Sequence, residues 1–199
     1  MKYVIMADGK GSRWNNYLGH GKQQIVVDGE TLLARTTRLL HELDEDARVI
    51  ITSHDESLSV GGAERWEPRN NVLEVDRFTR ELTEDDMCFL YGDVYYTKDA
   101  LRAVLDKRGR EPVLFAGSEK SICAVLVRDA KLFTECYEDV RRRFLDGELS
   151  ECKGWQVYHR YAGLPLEGKA VGKSFLMVDS FTRDFNAPED YLAFLAEHD

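Results

Sequence analysis

Tyr3-Val4-Ile5-Met6-Ala7-Asp8-Gly9-Lys10-Gly11-Ser12-Arg13 joins an apolar run of strand length to a glycine-rich, basic loop. Gly9 and Gly11 permit positive backbone dihedrals and close approach, so consecutive N–H groups can turn toward phosphate oxygens. Arg13 adds a permanent charge that can fork onto phosphate. The two better-known nucleotide loops do not fit. A dinucleotide fingerprint needs glycine where Trp14 stands, and a P-loop ending at Gly21-Lys22 needs glycine at Asn16 and Ser or Thr at Gln23.

Outward from this stretch, apolar runs recur at Arg48 to Thr52, Met87 to Tyr91, Leu101 to Leu105, Pro112 to Ala116, Ile122 to Val127 and Ser174 to Val178. Helical patterns fall between and after them, at Thr31 to Leu43, Ala130 to Phe144 and Pro188 to Leu195. In the first, Leu32, Leu33, Thr36, Leu39, Leu40 and Leu43 form one stripe at a 3.6-residue period, and Gly29 breaks the chain just before it. Asn186 is placed to cap the last helix and Pro188 suits its first turn. Strands alternating with helices imply an α/β fold, a three-layer α/β/α sandwich around a mainly parallel, mixed, Rossmann-like sheet. The 199 residues read as a single domain. The polar, glycine-bearing stretch 147–172 lacks clear periodicity and is the candidate for a lid or acceptor-facing excursion.

A net charge of -9 argues against a protein whose main business is gripping nucleic acid or an anionic membrane. The expectation is a cytoplasmic protein, since no apolar stretch reaches membrane-spanning length and Met1 to Met6 lacks a signal-peptide core. Cys88, Cys123, Cys136 and Cys152 form no Cys-x-x-Cys pair and read as reduced, mostly buried thiols. Arg141-Arg142-Arg143 is flanked by Glu138, Asp139, Asp146 and Glu148, which makes it a solvated helix face.

The loop is followed nine residues after Arg13 by Lys22, and then by Ile25-Val26-Val27-Asp28-Gly29-Glu30-Thr31-Leu32-Leu33. This order resembles the amino-terminal signature of the nucleotidyltransferases with a glycosyltransferase-A-like fold, which make nucleotide sugars, CDP-alcohols and the guanylylated molybdenum cofactor. The resemblance implies that the loop, Ala7, Gly9, Gly11 and Ser12 included, wraps a nucleoside triphosphate. It also implies that Arg13 and Lys22 neutralise it and serve as catalytic residues. Two positions depart from the signature: Asp8 stands where alanine is usual, and Gly21 where proline is usual. A carboxylate at Asp8 aimed at the phosphates would repel them.

Nucleotidyl transfer needs a divalent cation held by carboxylates to screen the reacting phosphate. Phe89-Leu90-Tyr91-Gly92-Asp93 is an apolar strand ending in Gly-Asp, which puts Asp93 at the carboxyl edge of the sheet, where ligands of open α/β folds bind. Asp184-Phe185-Asn186-Ala187-Pro188-Glu189-Asp190-Tyr191 is similar to the closing acidic segment of the same family. The resemblance implies a Mg²⁺ shell of Asp93 and Asp184, with Asn186 as a neutral alternative to the latter. Glu189 and Asp190 favour the helix dipole instead, and Asp179 and Asp76 are further carboxylates within reach of a metal.

Asn70 to Val75 can line the base and acceptor pockets, as similar segments do in cytidylyl-transferring relatives. His54 in a loop reads as solvated. Among Arg160, Lys169 and Lys173, Lys173 is the preferred contact to an acceptor phosphate because it immediately precedes a strand. The combined expectation is a Mg²⁺-dependent nucleotidyltransferase. It transfers a nucleoside monophosphate from an NTP to a small sugar-, polyol- or choline-phosphate and releases pyrophosphate. Base, acceptor and pathway stay open, as does a homodimer. The alternatives are a non-catalytic nucleotide sensor and a same-fold glycosyltransferase, although the latter calls for an Asp-x-Asp motif where Gly92-Asp93-Val94 has one acid.

Overall fold

The computed structural model describes residues 1–178 and 182–198. In chain order the strands are β1 (Lys2–Met6), β2 (Val26–Val27), β3 (Glu30–Thr31), β4 (Arg48–Thr52), β5 (Glu64–Trp66), β6 (Met87–Tyr91), β7 (Val94–Tyr95), β8 (Val113–Gly117), β9 (Ile122–Val127), β10 (Phe175–Met177) and β11 (Arg183–Asp184). The helices are α1 (Leu32–Leu43), α2 (Lys98–Leu105), α3 (Ala130–Leu145), α4 (Gly154–Ala162) and α5 (Pro188–His198).

Seven strands make one sheet in the order β10-β8-β9-β6-β1-β4-β5. All pairs are parallel except those of β9 with β6 and with β8. The apolar run of β1 carries side chains to both faces, because successive residues of a strand point opposite ways. Tyr3 and Ile5 join a core with Leu33, Leu39 and Leu40 of α1 and with Leu101, Val104 and Leu105 of α2. Val4 and Met6 join a second core with Phe133 and Val140 of α3 and with Trp155, Val157 and Tyr158 of α4. The result is an α/β/α sandwich with a mainly parallel, mixed sheet, as the alternating pattern predicts.

Side-chain caps fix where the helices begin. The Thr31 hydroxyl accepts from the Ala34 amide at 3.2 Å, Thr97 from Ala100 at 3.1 Å and the Asp129 carboxylate from Leu132 at 2.9 Å. At α5 the expected Asn186 cap is replaced. The Asp190 carboxylate accepts from the amides of Asn186 and Ala187, at 2.9 and 2.8 Å, while the Asn186 side chain turns to Asp184. Leu101 to Leu105 belongs to α2, since its buried positions fall at helical spacing.

The segment 147–172 contains α4, whose burial is nearly continuous from Gly154 to His159. Its periodicity is hidden in the sequence because Gln156 and His159 are buried polar residues, which bond the Leu166 and Ala170 carbonyls at 3.3 and 3.0 Å. The arginine run is only partly solvated. Arg142, Arg143 and Arg160 converge on Asp139, and Arg141 reaches the buried Asp76 at 2.9 Å. No helix among the described residues is long and apolar enough to cross a membrane. All four cysteines are free and buried.

A third, smaller core lies beyond the sheet: Trp14, Ile25, Val27, Leu32, Tyr95, Phe185 and Phe194. It packs the glycine-rich loop, the turn after it, β7 and the entry to α5 against one another. The large residue that excludes a dinucleotide motif is therefore an anchor. Trp14 is buried, donates its indole N–H to the His20 carbonyl at 2.9 Å and meets Tyr191 of α5 edge-on.

Candidate active site

The carboxyl ends of β1, β6 and β8 share one edge of the sheet, together with the start of β9. There a cleft of about 400 Å³ opens, lined among others by Lys10 to Arg13, Lys22, Asp93, Asp184 and Asn186. The structure thus gathers into one cleft residues that the sequence scatters over some 170 positions.

The glycine loop leaves β1 at Ala7, whose amide donates to the Thr52 carbonyl at 3.1 Å and whose carbonyl accepts from the Gln23 side chain at 3.0 Å. Gly11 takes the left-handed conformation, φ 57°, and its carbonyl accepts from the Asn15 amide at 3.0 Å. Gly9 lies beside the Arg77 side chain: a Cβ there would stand 3.4 Å from the guanidinium, an ordinary contact distance.

Asp8 does not point at a phosphate. Its carboxylate accepts from the His54 amide at 3.1 Å and the Asn71 side chain at 2.7 Å, and its Oδ2 lies 2.6 Å from His54 Nδ1. Asn71 also donates to the Asp8 carbonyl at 2.8 Å. The departure from alanine therefore ties the loop after β1 to the loops after β4 and β5. His54, expected to be solvated, is exposed and is also half of that tie.

Gly92 exists for close approach. Its amide donates to the Met6 carbonyl at 3.0 Å, and a Cβ would fall 2.9 Å from that same oxygen, inside any real contact. The turn holds Asp93 at the floor of the cleft, where Lys22, on a 3-10 turn and itself buried, ion-pairs with it. β7 and β11 pair antiparallel with Val94 opposite Asp184, and the Phe185 amide donates to the Asp93 carbonyl at 2.9 Å. That pairing brings Asp184 beside Asp93.

Burial first, and then the negative charge of Asp93, push the Asp184 carboxyl above its ordinary range. The Asn186 side-chain Nδ2 donates to one Asp184 oxygen, and the Ser121 hydroxyl lies 3.4 Å from the other. Asp76 is buried and spent on structure, accepting from Tyr137, Arg141 and the amides of Val72 and Leu73. Asp179 lies outside the described residues.

Several lining residues carry no sequence motif. Arg77 arrives on a 3-10 turn, Glu74–Phe78, and its Nε is buried without a hydrogen-bond partner. Lys120 and Ser121 come from the β8–β9 hairpin, Lys153 and Trp155 from the start of α4, and Lys169 from the stretch after it. Of the acceptor candidates, Lys169 lines the cleft. Lys173 is exposed and outside the lining, its carbonyl accepting from the Tyr158 hydroxyl at 3.0 Å, and Arg160 pairs with Asp139. Only a non-local hairpin and the packing of α4 bring these groups in, so neighbouring sequence carries no signal of them.

Among the described residues Lys10, Arg13, Arg77, Lys120 and Lys169 form no ion pair, although most other cations of this acidic chain do. Cations left unpaired in one cleft make a receptor for a polyanion. With the paired Lys22 and the two carboxylates, the arrangement can hold phosphate chains and a hard cation side by side.

No protein-family model matches the chain, and no curated protein matches it in sequence. Solved structures do. One is a putative glucose-1-phosphate thymidylyltransferase from Bacillus anthracis, at 15% identity and TM-score 0.66, over 99% of this chain and 94% of that one. Another is the CTP:phosphocholine cytidylyltransferase of Streptococcus pneumoniae, at 12% identity and TM-score 0.64, over 100% and 99%. A third is the inositol-1-phosphate CTP transferase of T. maritima, at 12% and 0.61, over 95% and 90%. From end to end, the chain has the fold of these nucleotidyltransferases.

Proposed function

We propose that the protein is a nucleotidyltransferase: it transfers a nucleoside monophosphate from an NTP to a small phosphomonoester and releases pyrophosphate. The observation that carries this reading is the convergence, in one cleft, of the glycine loop, Lys22 on Asp93, and Asp184 beside it. The likeness of the whole chain to thymidylyl- and cytidylyltransferase structures supports it.

The donor set suits magnesium. Asp93 and Asp184 are hard anionic oxygens held side by side, and a divalent cation would offset the burial and the repulsion from Asp93 that raise the Asp184 carboxyl. No group of three or more His, Cys, Asp or Glu side chains converges among the described residues, but Mg²⁺ keeps waters and phosphate oxygens in its shell, so two carboxylates suffice. When bound there, the ion screens charge on the reacting phosphate.

The chain's own groups do the rest. The backbone of Gly9 to Ser12 cradles the triphosphate, and Lys10 and Arg13 neutralise the end that leaves as pyrophosphate. Lys22 holds Asp93 in place and offers its ammonium to the α-phosphate. Arg77, beside Gly9 in the cleft lining, supplies further donors. The incoming phosphomonoester oxygen attacks the α-phosphorus in line, the P–O bond to the β-phosphate breaks, and no covalent enzyme intermediate forms. An already ionised phosphate nucleophile needs no general base.

The test is pyrophosphate release. Each of the four common NTPs is incubated with Mg²⁺ and a panel of sugar, polyol and amino-alcohol phosphates. Release with at least one pair, abolished by Asp93→Asn, supports the reading. Full activity of Asp93→Asn would remove the proposed metal site, and tight nucleotide binding with silence across the panel would favour a sensor.

A further inference from the structure

The cleft has two walls. The glycine loop with Lys10 and Arg13 forms one, after β1. The other lies across β6, where the β8–β9 hairpin and the start of α4 meet. Strands are spaced about 5 Å apart, so the hairpin stands one to two spacings, about 5 to 10 Å, beyond β6, the strand that leads into Asp93. That is the reach of a small molecule whose phosphate lies over Asp93 and whose tail extends away from the triphosphate.

This far wall is basic. Lys120 and Lys169 are exposed and form no ion pair among the described residues, and the Lys169 ammonium donates to the Lys120 carbonyl at 2.9 Å while lying 5.9 Å from the Trp155 ring centroid. The two lysines are thus held beside each other rather than dispersed. The hairpin that carries Lys120 is closed by the Ser118 amide on the Ser121 carbonyl at 2.8 Å, and the Ser118 hydroxyl accepts from the Lys120 and Ser121 amides at 3.2 Å each. Lys153 precedes α4 and shares its charge with the exposed Glu151.

The approach of α4 is also fitted. A Cβ on Gly154 would fall 2.6 Å from the Tyr91 hydroxyl, so any larger residue would have to displace that side chain for the helix to start so close to the end of β6. Apart from Asp93 and Asp184 the lining has one carboxylate, Glu74. The aromatic groups of the lining are Tyr91 and Trp155, and the Lys169 ammonium already lies beside the Trp155 ring, so a quaternary ammonium there would meet a like charge.

Resting on the reading of this cleft as a nucleotidyl-transfer site, we propose that Lys120, Lys153 and Lys169 form an anion subsite for the acceptor's tail. The acceptor is then a phosphomonoester with a second negative group, a carboxylate or another phosphate, and not a choline-type cation. A doubly charged phosphate alone leaves the far-wall lysines unmatched once Lys22, Arg77 and the metal have met it.

Three probes of similar size separate the possibilities: 3-phosphoglycerate with an anionic tail, glycerol 3-phosphate with a neutral one and phosphocholine with a cationic one. Their binding to the full chain with Mg²⁺ is measured by titration calorimetry. The expected order is 3-phosphoglycerate tightest, by about tenfold over glycerol 3-phosphate, with phosphocholine weakest. The double variant Lys120→Ala/Lys169→Ala is expected to erase the preference, whereas Arg13→Ala keeps it. Equal or tighter binding of the neutral or cationic probe overturns the subsite, and so does a preference that survives the double variant. Pyrophosphate release is read separately. A binding preference without release for any probe upholds the subsite and counts against the transfer reading.

Discussion

Removing the Lys22 ammonium should do more than weaken substrate binding, because the side chains of Lys22 and Asp93 are only 7% and 12% exposed. Lys22→Ala leaves Asp93 buried beside Asp184 with no cation. Breaking a buried pair from one side costs about 3 to 5 kcal/mol. For a domain near 200 residues each kcal/mol is worth roughly 2 to 4 °C, so the midpoint should fall by about 10 °C in EDTA at pH 8. Burial, and then the charge of Asp93, hold the Asp184 carboxyl above its ordinary range, so the destabilisation is full at high pH and fades as pH falls through that raised range and Asp184 takes up a proton. Adding Asp93→Ala to Lys22→Ala removes the orphaned charge and should recover at least about 2 kcal/mol. Magnesium at a hundredfold over its dissociation constant returns about 2.7 kcal/mol, and should help Lys22→Ala more than the parent. Thermal melts followed by circular dichroism, at pH 5 and 8 with and without Mg²⁺, read all of this. A midpoint within about 2 °C of the parent, or a double variant no more stable than Lys22→Ala, refutes the account of this pair.

Three further outcomes follow from the same geometry. Asp184→Asn should raise the melting midpoint of the metal-free protein at neutral pH, because it removes a charge whose burial lifts its pKa. The gain should vanish in acid, where the parent carboxyl is protonated too, and turnover should be lost. Gly92→Ala places a Cβ 2.9 Å from the Met6 carbonyl and should destabilise by about 1 to 3 kcal/mol in chemical denaturation. Asp8→Ala cuts the ties to His54 and Asn71, so steady-state kinetics should show a raised KM for the NTP with a smaller change in kcat, as expected if Asp8 only positions the loop.

How much of this was legible in the sequence depended on whether the signal was local. The β1 run, the α1 stripe behind Thr31 and the helix begun at Pro188 are written in short windows, and their bounds agree with the structure to within a few residues. Asp93 could be named because it sits in a compact strand-end pattern, and Asp184 because its segment is similar to the closing acidic segment of the family that the loop resembles. Their side-by-side placement could not, since it depends on β7 pairing with β11 across ninety residues of chain. Asp8 shows the opposite failure: its carboxylate looked damaging in a phosphate loop because its partners, His54 and Asn71, lie in other loops. Arg77, Lys120 and Lys169 were missed or undervalued for the same reason. A cation gains meaning only when the fold shows that no carboxylate answers it. α4 escaped notice because Gln156 and His159 interrupt its apolar face, and both find partners only in the folded chain.

The central claim is that the bond broken lies between the α- and β-phosphates. It is tested most directly by following α- and γ-labelled NTPs separately, with Mg²⁺ and a pool of phosphomonoesters. The account predicts that the α label appears in a phosphatase-resistant diphosphate diester while the γ label leaves as pyrophosphate. Transfer of the γ label to the acceptor, or its release as orthophosphate with the α label left in a nucleoside diphosphate, would contradict it.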